Sequence, residues 1–262
     1  MHATNYLQQA MLNVARGVDM INPGGFYIGI YTSDPTVSGT AGTEVSYSGY
    51  VRQLVNWTIT NNAGDSSGKI ENTSQISFPI IPRNTVQTVT HVGILDSPTP
   101  GEGNMYLFAP LATPVPLQDT VRLFFAARAL KWVLSGVVHY YYRAYFLPFF
   151  NGSADITGFD AYLALGGSND SEPSANYGYE RQALLLSLSA TGGVNRIYNT
   201  VNIDFPECTN SWGSITSIMI KDAASSGRTF AKIPLEQSFT PTRGSQVRVN
   251  AQGIEVRMQD LE

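Results

Sequence analysis

The sequence predicts a mainly β protein of two tandem antiparallel β-sandwich (jelly-roll-like) modules, each preceded by a short helix. Three observations lead to this fold class. The pentapeptide GYVRQ at 49–53 returns as GYERQ at 178–182. Short runs of alternating apolar residues are separated by turn residues, as in antiparallel sheets. The composition of 24 Gly, 14 Pro and 14 Tyr, with only 14% charged residues, is typical of a turn-rich β protein with uncharged polar surfaces.

The repeat extends beyond the pentapeptide, and its landmarks keep their order. We match 26–31 with 159–164, 70–79 with 197–206, 89–96 with 215–222, and Val121–Leu123 with Val247–Val249. The spacing changes only in Gly, Ser and Pro-rich gaps, where loop length is easily altered. We therefore predict two domains, 1–135 and 136–262, each with enough chain for its own core.

The N-terminal residues 4–18 have the spacing of a helix. Leu7, Met11, Val14 and Val18 recur on one apolar stripe with a period of 3.6. Thr4 or Asn5 is suited to cap its start. The Asn-Pro-Gly-Gly run at 22–25 predicts that the helix has ended there.

From residue 26 onward the apolar period is two, which predicts strands. The residues expected to share a buried face within each strand are Phe26, Ile28 and Ile30; Ile76, Phe78 and Ile80; Val92 and Ile94; Val121, Leu123 and Phe125. The second copy repeats the pattern with Ala161, Leu163 and Leu165; Val201, Ile203 and Phe205; Thr216, Ile218 and Ile220; Val247 and Val249.

An aromatic segment, 137–152, occupies the place of the leading helix in the second copy. We predict a helix here, with Ser135 as its cap and Pro148 at its end, and a strand is the alternative because the tyrosine run is β-prone. One helix cannot direct so many rings into a single core. We expect the rings to pack between the two modules and at least two of six to contact a neighbouring subunit: Tyr140, Tyr141, Tyr142, Tyr145, Phe149 and Phe150. Packing between the modules alone is one alternative, and a sugar-stacking site is another.

The recurring motif Gly49-Tyr50-x-Arg52-Gln53 and Gly178-Tyr179-x-Arg181-Gln182 is the main candidate for a polar site. An arginine at a strand entrance, present twice, indicates a fixed salt bridge or bonds to loop carbonyls, and an anion site is the alternative. Other acidic residues, such as Glu44 and Asp96, are expected to serve turns or the surface. The copies share apolar and turn residues more than polar ones, which argues against an active site.

No catalytic or metal-binding pattern stands out in the sequence. His91 is matched by Ser217 in the second copy, so the repeat does not need an imidazole. The single cysteine, Cys208, excludes an intrachain disulfide and a thiolate metal site. We expect no enzyme activity, no cofactor and no metal. The formal net charge of −4 gives no basic footprint for nucleic acid, and no apolar run is long enough to predict a membrane span.

In the first copy, the order of the segments resembles a known family. FYIGIYTSDPT is followed by GTEVSYSGYVRQ, then IENTSQISFP, then VTHVGILDS. This order is similar to that of small bacteriophage virion proteins called tail fibre proteins, which carry it as one domain. The second copy keeps Gly-Tyr-x-Arg-Gln and Phe-Pro but lacks SDPT and the His-x-Gly-Ile pattern. The resemblance implies a duplicated, diverged structural protein of the phage particle.

From the resemblance we expect a non-enzymatic structural subunit of the tail, at the baseplate, tail tip or fibre attachment, within a symmetric assembly of virion proteins. A capsid decoration protein is one alternative. A host-receptor-binding adhesin is another, in which loops 33–48 and 166–178 would contact a surface glycan.

Overall fold

A computed structural model describes residues 1–59, 68–118, 121–134, 139–142, 145–191 and 194–258. The protein is mainly β with several antiparallel sheets, which confirms the predicted class at this level. The first half contains one helix and ten strands in the described ranges: β1 His2–Ala3, α1 Asn5–Val14, β2 Tyr27–Tyr31, β3 Gln53–Leu54, β4 Trp57–Ile59, β5 Gly68–Asn72, β6 Ile76–Ser77, β7 Gln87–Leu95, β8 Met105–Leu117, β9 Phe124–Phe125 and β10 Lys131–Leu134.

The second half begins with two short helices in place of the single one. Its described elements are α2 His139–Tyr142, α3 Phe146–Phe150, β11 Tyr162–Gly166, β12 Gln182–Ala183, β13 Leu186–Thr191, β14 Val194–Asn199, β15 Ile203–Glu207, β16 Ile215–Lys221, β17 Thr229–Phe239, β18 Gln246–Val249 and β19 Glu255–Met258. Two 3-10 turns lie between β11 and β12.

The two halves have the same strand order. The first half has the sheets β1-β8-β7-β2-β3, β10-β5-β4 and β6-β9. The second half has β12-β11-β16-β17, β13-β14-β19 and β15-β18. The order β3-β2-β7-β8 matches β12-β11-β16-β17, the order β4-β5-β10 matches β13-β14-β19, and β6-β9 matches β15-β18. Strand β1 is an addition at the edge of the first half. We call the two halves the first and second repeat.

The strand register also recurs. Ile28 lies opposite Gln53 and Ile94, and Leu163 lies opposite Gln182 and Ile220. This register corrects two of our alignments. Tyr27 corresponds to Tyr162 rather than Asp160, and Leu123 corresponds to Val247 rather than Val249. Both errors are shifts of two residues, which preserve the alternation and are therefore invisible to a period-two pattern.

Most residues predicted to face inward are buried or partly buried, but Thr216 and three apolar residues are exposed. Ile80 is 55% exposed, Val121 53% and Val201 46%. The chain departs from a regular strand near Ile80, because the N–H of Phe78 donates to the Leu123 carbonyl but the next such bond joins Ile81 to Val121. The second repeat has a register shift at the equivalent place, between Asp204 and Glu207. A bulge of this kind turns the next side chain to the other face.

Helix α1 is shorter than predicted. Thr4 is its N-cap, and the Thr4 hydroxyl accepts a hydrogen bond from the N–H of Leu7 at 3.4 Å. The helix ends at Val14, and the chain then turns through Gly17 with φ 78°, a left-handed conformation that favours glycine. Val18 lies beyond this turn and is exposed, although the apolar period placed it on the helix.

The aromatic segment is helical but broken into α2 and α3. Pro148 lies within the first turn of α3 instead of ending the helix. Backbone N–H groups of a first turn have no partner within the helix, so a proline costs little there. The predicted cap, Ser135, and the predicted domain boundary fall in 135–138, outside the described residues.

The two repeats contact each other through equivalent residues. Met20 and Ile156 form an antiparallel bridge, each donating its N–H to the other's carbonyl at 2.8 and 3.0 Å. Beside it, the Asp155 carboxylate accepts from the N–H of Asn22 at 2.7 Å, and the Asp19 carboxylate accepts from the N–H of Gly158 at 2.8 Å. Such reciprocal contacts are the mark of a two-fold interface. The chain is thus arranged like a dimer joined into one polypeptide.

The leading segments are exchanged across this interface. Helix α1 packs on β13 and β14 of the second repeat, and α3 packs on β4 of the first. The side-chain amide of Asn195 on β14 donates to Asn5 and Gln8 of α1 at 2.9 and 2.8 Å. In return, the side chain of Asn151 accepts from and donates to the Trp57 backbone at 2.9 and 3.0 Å.

Most buried apolar side chains of both repeats form one continuous cluster, and a small second cluster in the first repeat contains Tyr31, Leu95, Met105 and Phe108. From the length of each repeat we expected two separate cores, but the main core is shared by both repeats. The exchanged helices join the two sets of sheets, because each repeat buries part of its apolar surface against the other's leading segment.

We expect Phe150→Ala to destabilise both repeats together. Phe150 is 1% exposed and, although it belongs to the second leading segment, its ring lies 4.6 Å from that of Phe26 and 5.9 Å from those of Trp57 and Trp132. Loss of such a ring costs about 3–5 kcal/mol. Urea denaturation followed by tryptophan fluorescence measures this loss. In a variant with Trp212 replaced by Phe, Trp57 and Trp132 report the first repeat. In a variant with Trp57 and Trp132 replaced by Phe, Trp212 reports the second repeat.

Coincident midpoints that shift together are the expected result. Phe124→Ala is the matched control, because Phe124 is 55% exposed and its removal should change stability by less than about 0.5 kcal/mol. Two separate transitions, of which Phe150→Ala moves only one, would contradict a shared core.

Candidate functional site

Each repeated motif builds a buried arginine–glutamate cluster. In the first repeat the Nε and Nη2 of Arg52 donate to the two oxygens of Glu44, each at 2.8 Å. Its Nη1 donates to the carbonyls of Ser97 and Glu102 at 2.9 and 2.8 Å. The Arg52 side chain is 1% exposed and that of Glu44 11%. The ion pair is thus bidentate and almost fully shielded from solvent. Only the planar guanidinium of arginine can make two such parallel bonds, which a lysine ammonium cannot.

The second repeat has the same cluster with different loop residues. The Nε and Nη2 of Arg181 donate to Glu172 at 2.9 and 2.6 Å. Its Nη1 donates to the carbonyls of Ala223 and Ser226, both at 2.6 Å. Lys221 adds a second positive charge 3.9 Å from Glu172. The predicted salt bridge and the predicted bonds to loop carbonyls are both present, on one side chain.

The motif tyrosine ties the carboxylate to the central sheet. The Tyr50 hydroxyl donates to Glu44 at 2.8 Å and accepts from the N–H of Ile30 at 3.1 Å. Tyr179 does the same between Glu172 and Leu165, at 3.1 and 3.0 Å. Burial raises the pKa of both phenols, so each hydroxyl keeps the proton that it donates.

The remaining motif residues shape the backbone around the cluster. Gly49 and Gly178 have φ of 85° and 78°, and a Cβ on Gly178 would come within 2.9 Å of the Glu207 carbonyl. Gln53 and Gln182 lie on the edge strands, and their side-chain amides donate back to the carbonyls of Val51 and Glu180 at 2.8 and 2.9 Å. The five residues of the motif therefore connect the edge strand, the turn before it and the neighbouring loops by hydrogen bonds.

The cluster has little capacity to bind an anion. Four of the five guanidinium N–H groups of Arg52 already donate, and its charge is met by Glu44. The same count holds for Arg181. The geometry thus favours a structural role for these arginines over the alternative of an anion site.

A polar cleft lies over each cluster. The first, of about 400 Å³, is lined by Glu44, Arg52 and parts of 39–46 and 100–103. The second, of about 470 Å³, is lined by Glu172, Arg181 and parts of 173–180 and 224–226. These clefts border the loops 33–48 and 166–178 that we named for an adhesin. Their charged floors are occupied by internal bonds, which leaves mainly backbone and small side chains to a ligand.

Sequence analysis missed two parts of this framework. Glu44 was assigned to turns or the surface, yet it is the partner of Arg52. The signal for this pairing was an acidic residue eight or nine positions before each motif arginine. The other part is Asn72, whose buried amide donates to Ser74 and Ala126 and accepts from Leu130 at 2.8–2.9 Å. Asn199 makes the equivalent three bonds. The shared Asn-Thr pair marked this position.

The residues considered for catalysis have separate, local contacts. The Nδ1 of His91 lies 2.9 Å from the Thr90 hydroxyl, and its Nε2 lies 3.8 Å from Asp34. Asp96 accepts from the N–H of Asn104 at 2.6 Å and so closes the β7–β8 turn, as Asp222 does with Arg228. The structure does not bring His91 or Asp96 into the arginine cluster. In the described ranges no helix has the length and apolar character needed to cross a bilayer.

The aromatic segment is largely used inside the chain. Tyr141, Tyr142, Phe149 and Phe150 are each less than 5% exposed. Tyr145 is partly buried, with the Arg228 guanidinium 4.9 Å from its ring centre. The side chain of Tyr140 lies outside the described residues. A contact with a neighbouring subunit stays a prediction, and among the five rings that the structure describes only Tyr145 is not fully buried.

Comparison with protein families gives one match. The family model described as Podophage GP4 fiber I protein gp80 matches residues 2–133 and 160–257. These spans cover most of the chain and fall one in each repeat. No curated protein matches the sequence.

We expect Glu44→Gln to destabilise the fold by about 3 kcal/mol, the order of loss when one partner of a buried ion pair is removed. The amide keeps the size of the side chain but leaves the Arg52 charge without its counterion. Denaturant unfolding measures the difference. Glu102→Gln is the control, since Glu102 is exposed and serves Arg52 through its backbone carbonyl alone. Equal effects of the two substitutions would show that the buried charge pair is not important.

The second cluster should make stability depend on acid pH. Burial raises the pKa of Glu172, but the bonds and charge of Arg181, with Tyr179 and Lys221, lower it overall below its ordinary value of 4.5. A carboxyl with a lowered folded-state pKa stabilises the fold above its unfolded-state pKa, and this stabilisation is lost as the pH falls through the folded-state value.

Between neutral pH and strongly acid pH, the wild type should therefore lose more stability than Glu172→Gln. Urea midpoints measured along this pH range test it. Glu180→Gln, an exposed change in the same loop, should keep the wild-type profile. Parallel profiles for wild type and Glu172→Gln would contradict the predicted role of this carboxylate.

Proposed function

The chain belongs to the family described as Podophage GP4 fiber I protein gp80, and from this we propose that it is a non-enzymatic subunit that joins the fibre to the phage tail. The family makes it a structural protein of a phage fibre, associated with the tail of the virion. Its finer place, at the baseplate, the tail tip or the fibre attachment, is part of the proposal.

The observation that carries this proposal is the internal use of the charged groups in both repeats. The two most buried arginines bind carboxylates and loop carbonyls of their own repeat. Such clusters hold loops in fixed positions, and they engage the buried guanidinium and carboxylate groups at the clefts in internal bonds. A rigid subunit that positions other proteins needs this property.

For the fold we propose that each repeat is a jelly-roll-like sandwich. Three antiparallel sheets occur in the same order in each repeat, and their inward residues meet in the shared core. A sandwich of this type presents loops at its ends and strand faces at its sides, which suits a subunit with several neighbours.

Association with other virion proteins follows from the family, and assembly with further copies of this chain is our proposal. The net charge of −4 gives no attraction to nucleic acid. Receptor binding by the loops 33–48 and 166–178 stays an alternative. The tail association of the family disfavours the decoration protein, which would bind the capsid.

Electron cryo-microscopy of the particle, with gold-labelled antibody against this chain, tests the proposal. We expect the chain at the tail, in density continuous with other tail proteins. Purified protein should not bind host cells, and it should not bind capsids without tails. Density at capsid hexamer or pentamer centres would overturn the proposal in favour of a decoration protein, and binding of purified protein to host cells would favour an adhesin.

A further inference from the structure

One end of the first repeat carries an exposed apolar patch. It consists of Ile80, Val86, Val121 and Phe124, whose exposed fractions are 55%, 93%, 53% and 55%. Val121 and Phe124 line a shallow groove of about 160 Å³ together with Ile81, Leu117 and Leu123, and Ile80 and Val86 flank it in sequence, next to Ile81 and β7. The β6–β9 strands and the far end of the β7–β8 hairpin bring these residues together. We call this surface the β6–β9 patch.

The second repeat shows that the fold does not need this patch. Phe124 lies opposite Ser77, and at the equivalent pair Arg248 lies opposite Asp204 and forms an ion pair with it. Val121 corresponds to Ser245, because each carbonyl accepts the equivalent backbone bond, from Ile81 and from Cys208.

A third position, Ile80, follows the same rule. Ile80 precedes Ile81 and thus corresponds to Glu207, which is exposed. At these three sites one repeat is apolar and the other polar, on the same backbone, whereas Val86 corresponds, by the spacing of 89–96 and 215–222, to Trp212, which is apolar but buried. The apolar residues are therefore a property of this surface in the first repeat alone, and isolated exposed apolar residues would not cluster in this way.

The charges at the rim indicate what the patch binds. Arg122 borders the groove, and Arg83 lies in the turn between Ile81 and Val86. Both are exposed, and neither forms an ion pair within the described residues. Two copies paired through this patch about a two-fold axis would bring arginines against arginines, which disfavours self-association here.

We infer that the β6–β9 patch is the surface by which this chain docks onto a different virion protein, one that presents apolar side chains bordered by carboxylates. Apolar residues at the centre and charges at the rim are the usual arrangement of such an interface. The partner's carboxylates would meet Arg83 and Arg122, and one of its apolar side chains would enter the groove. The inference rests on the proposed attachment role and names the surface that performs it.

The test transfers the surface of the second repeat onto the first. The graft is Ser77→Asp, Ile80→Glu, Val121→Ser and Phe124→Arg, and the single change Phe124→Arg accompanies it. Because the second repeat carries the grafted residues at these positions, the graft should fold, as circular dichroism and urea midpoints would show. Leu185→Ser is the control, since Leu185 is an exposed apolar residue, 62% exposed, on the other repeat.

Each variant is supplied in trans to a phage whose own copy of the gene is disrupted, and copies per purified particle are measured by quantitative immunoblot. We expect the wild type and Leu185→Ser to be incorporated equally, and the graft and Phe124→Arg to be reduced about tenfold or more, as for loss of an interface anchor. Arg122→Glu should reduce incorporation as well, because it would repel the partner's carboxylates.

The outcomes separate the two proposals. Absence of the wild type from particles overturns the proposed function and this inference with it. Equal incorporation of wild type and graft overturns the inference alone. If Arg122→Glu leaves the number of copies per particle unchanged or raises it, the inference that the partner presents carboxylates is wrong. A photo-crosslinking phenylalanine at position 124, followed by mass spectrometry, identifies the partner. A crosslink to an acidic, apolar segment of another virion protein supports the inference, and one to a second copy of this chain overturns it.

Discussion

Each leading segment packs partly on the opposite repeat, and the rest of the structure depends on this exchange. Helix α1 lies on β13 and β14, and α3 lies on β4. The Met20–Ile156 bridge and the paired carboxylates of Asp19 and Asp155 hold the exchanged segments in place. Since burial of apolar area dominates folding free energy, neither repeat reaches its full core without the other.

On this shared core the arginine clusters perform a different task. Each fixes a long loop and a hairpin turn to the central sheet through one guanidinium and one carboxylate. A buried pair of this kind contributes less net stability than its Coulomb attraction suggests, because both charges lose their hydration. Its main effect is to select one loop geometry, since any other arrangement leaves a charge buried and unpaired.

The sequence predicted the class, the repeat and the importance of Arg52 and Arg181, because these depend on local period and on letters that recur. It placed Ile80 and Val121 inward because a bulge is invisible in an alternating pattern. The exchange of helices could not be predicted either, since a period of 3.6 identifies an apolar face but not the sheet that covers it. Asn72 was missed because its partner Ala126 is distant in sequence, and Glu44 because a carboxylate near a loop has the pattern of a turn residue as well as of a partner for Arg52.

Joining two equivalent halves in one chain affects the number of partners that the chain can bind. In a dimer of identical subunits every surface residue occurs twice, so a docking patch would also occur twice and bind two partners. Here the halves have diverged separately, and Phe124 faces solvent where the other half has Arg248. If the β6–β9 patch docks as inferred above, one subunit combines the rigidity of a dimer with one copy of that docking surface.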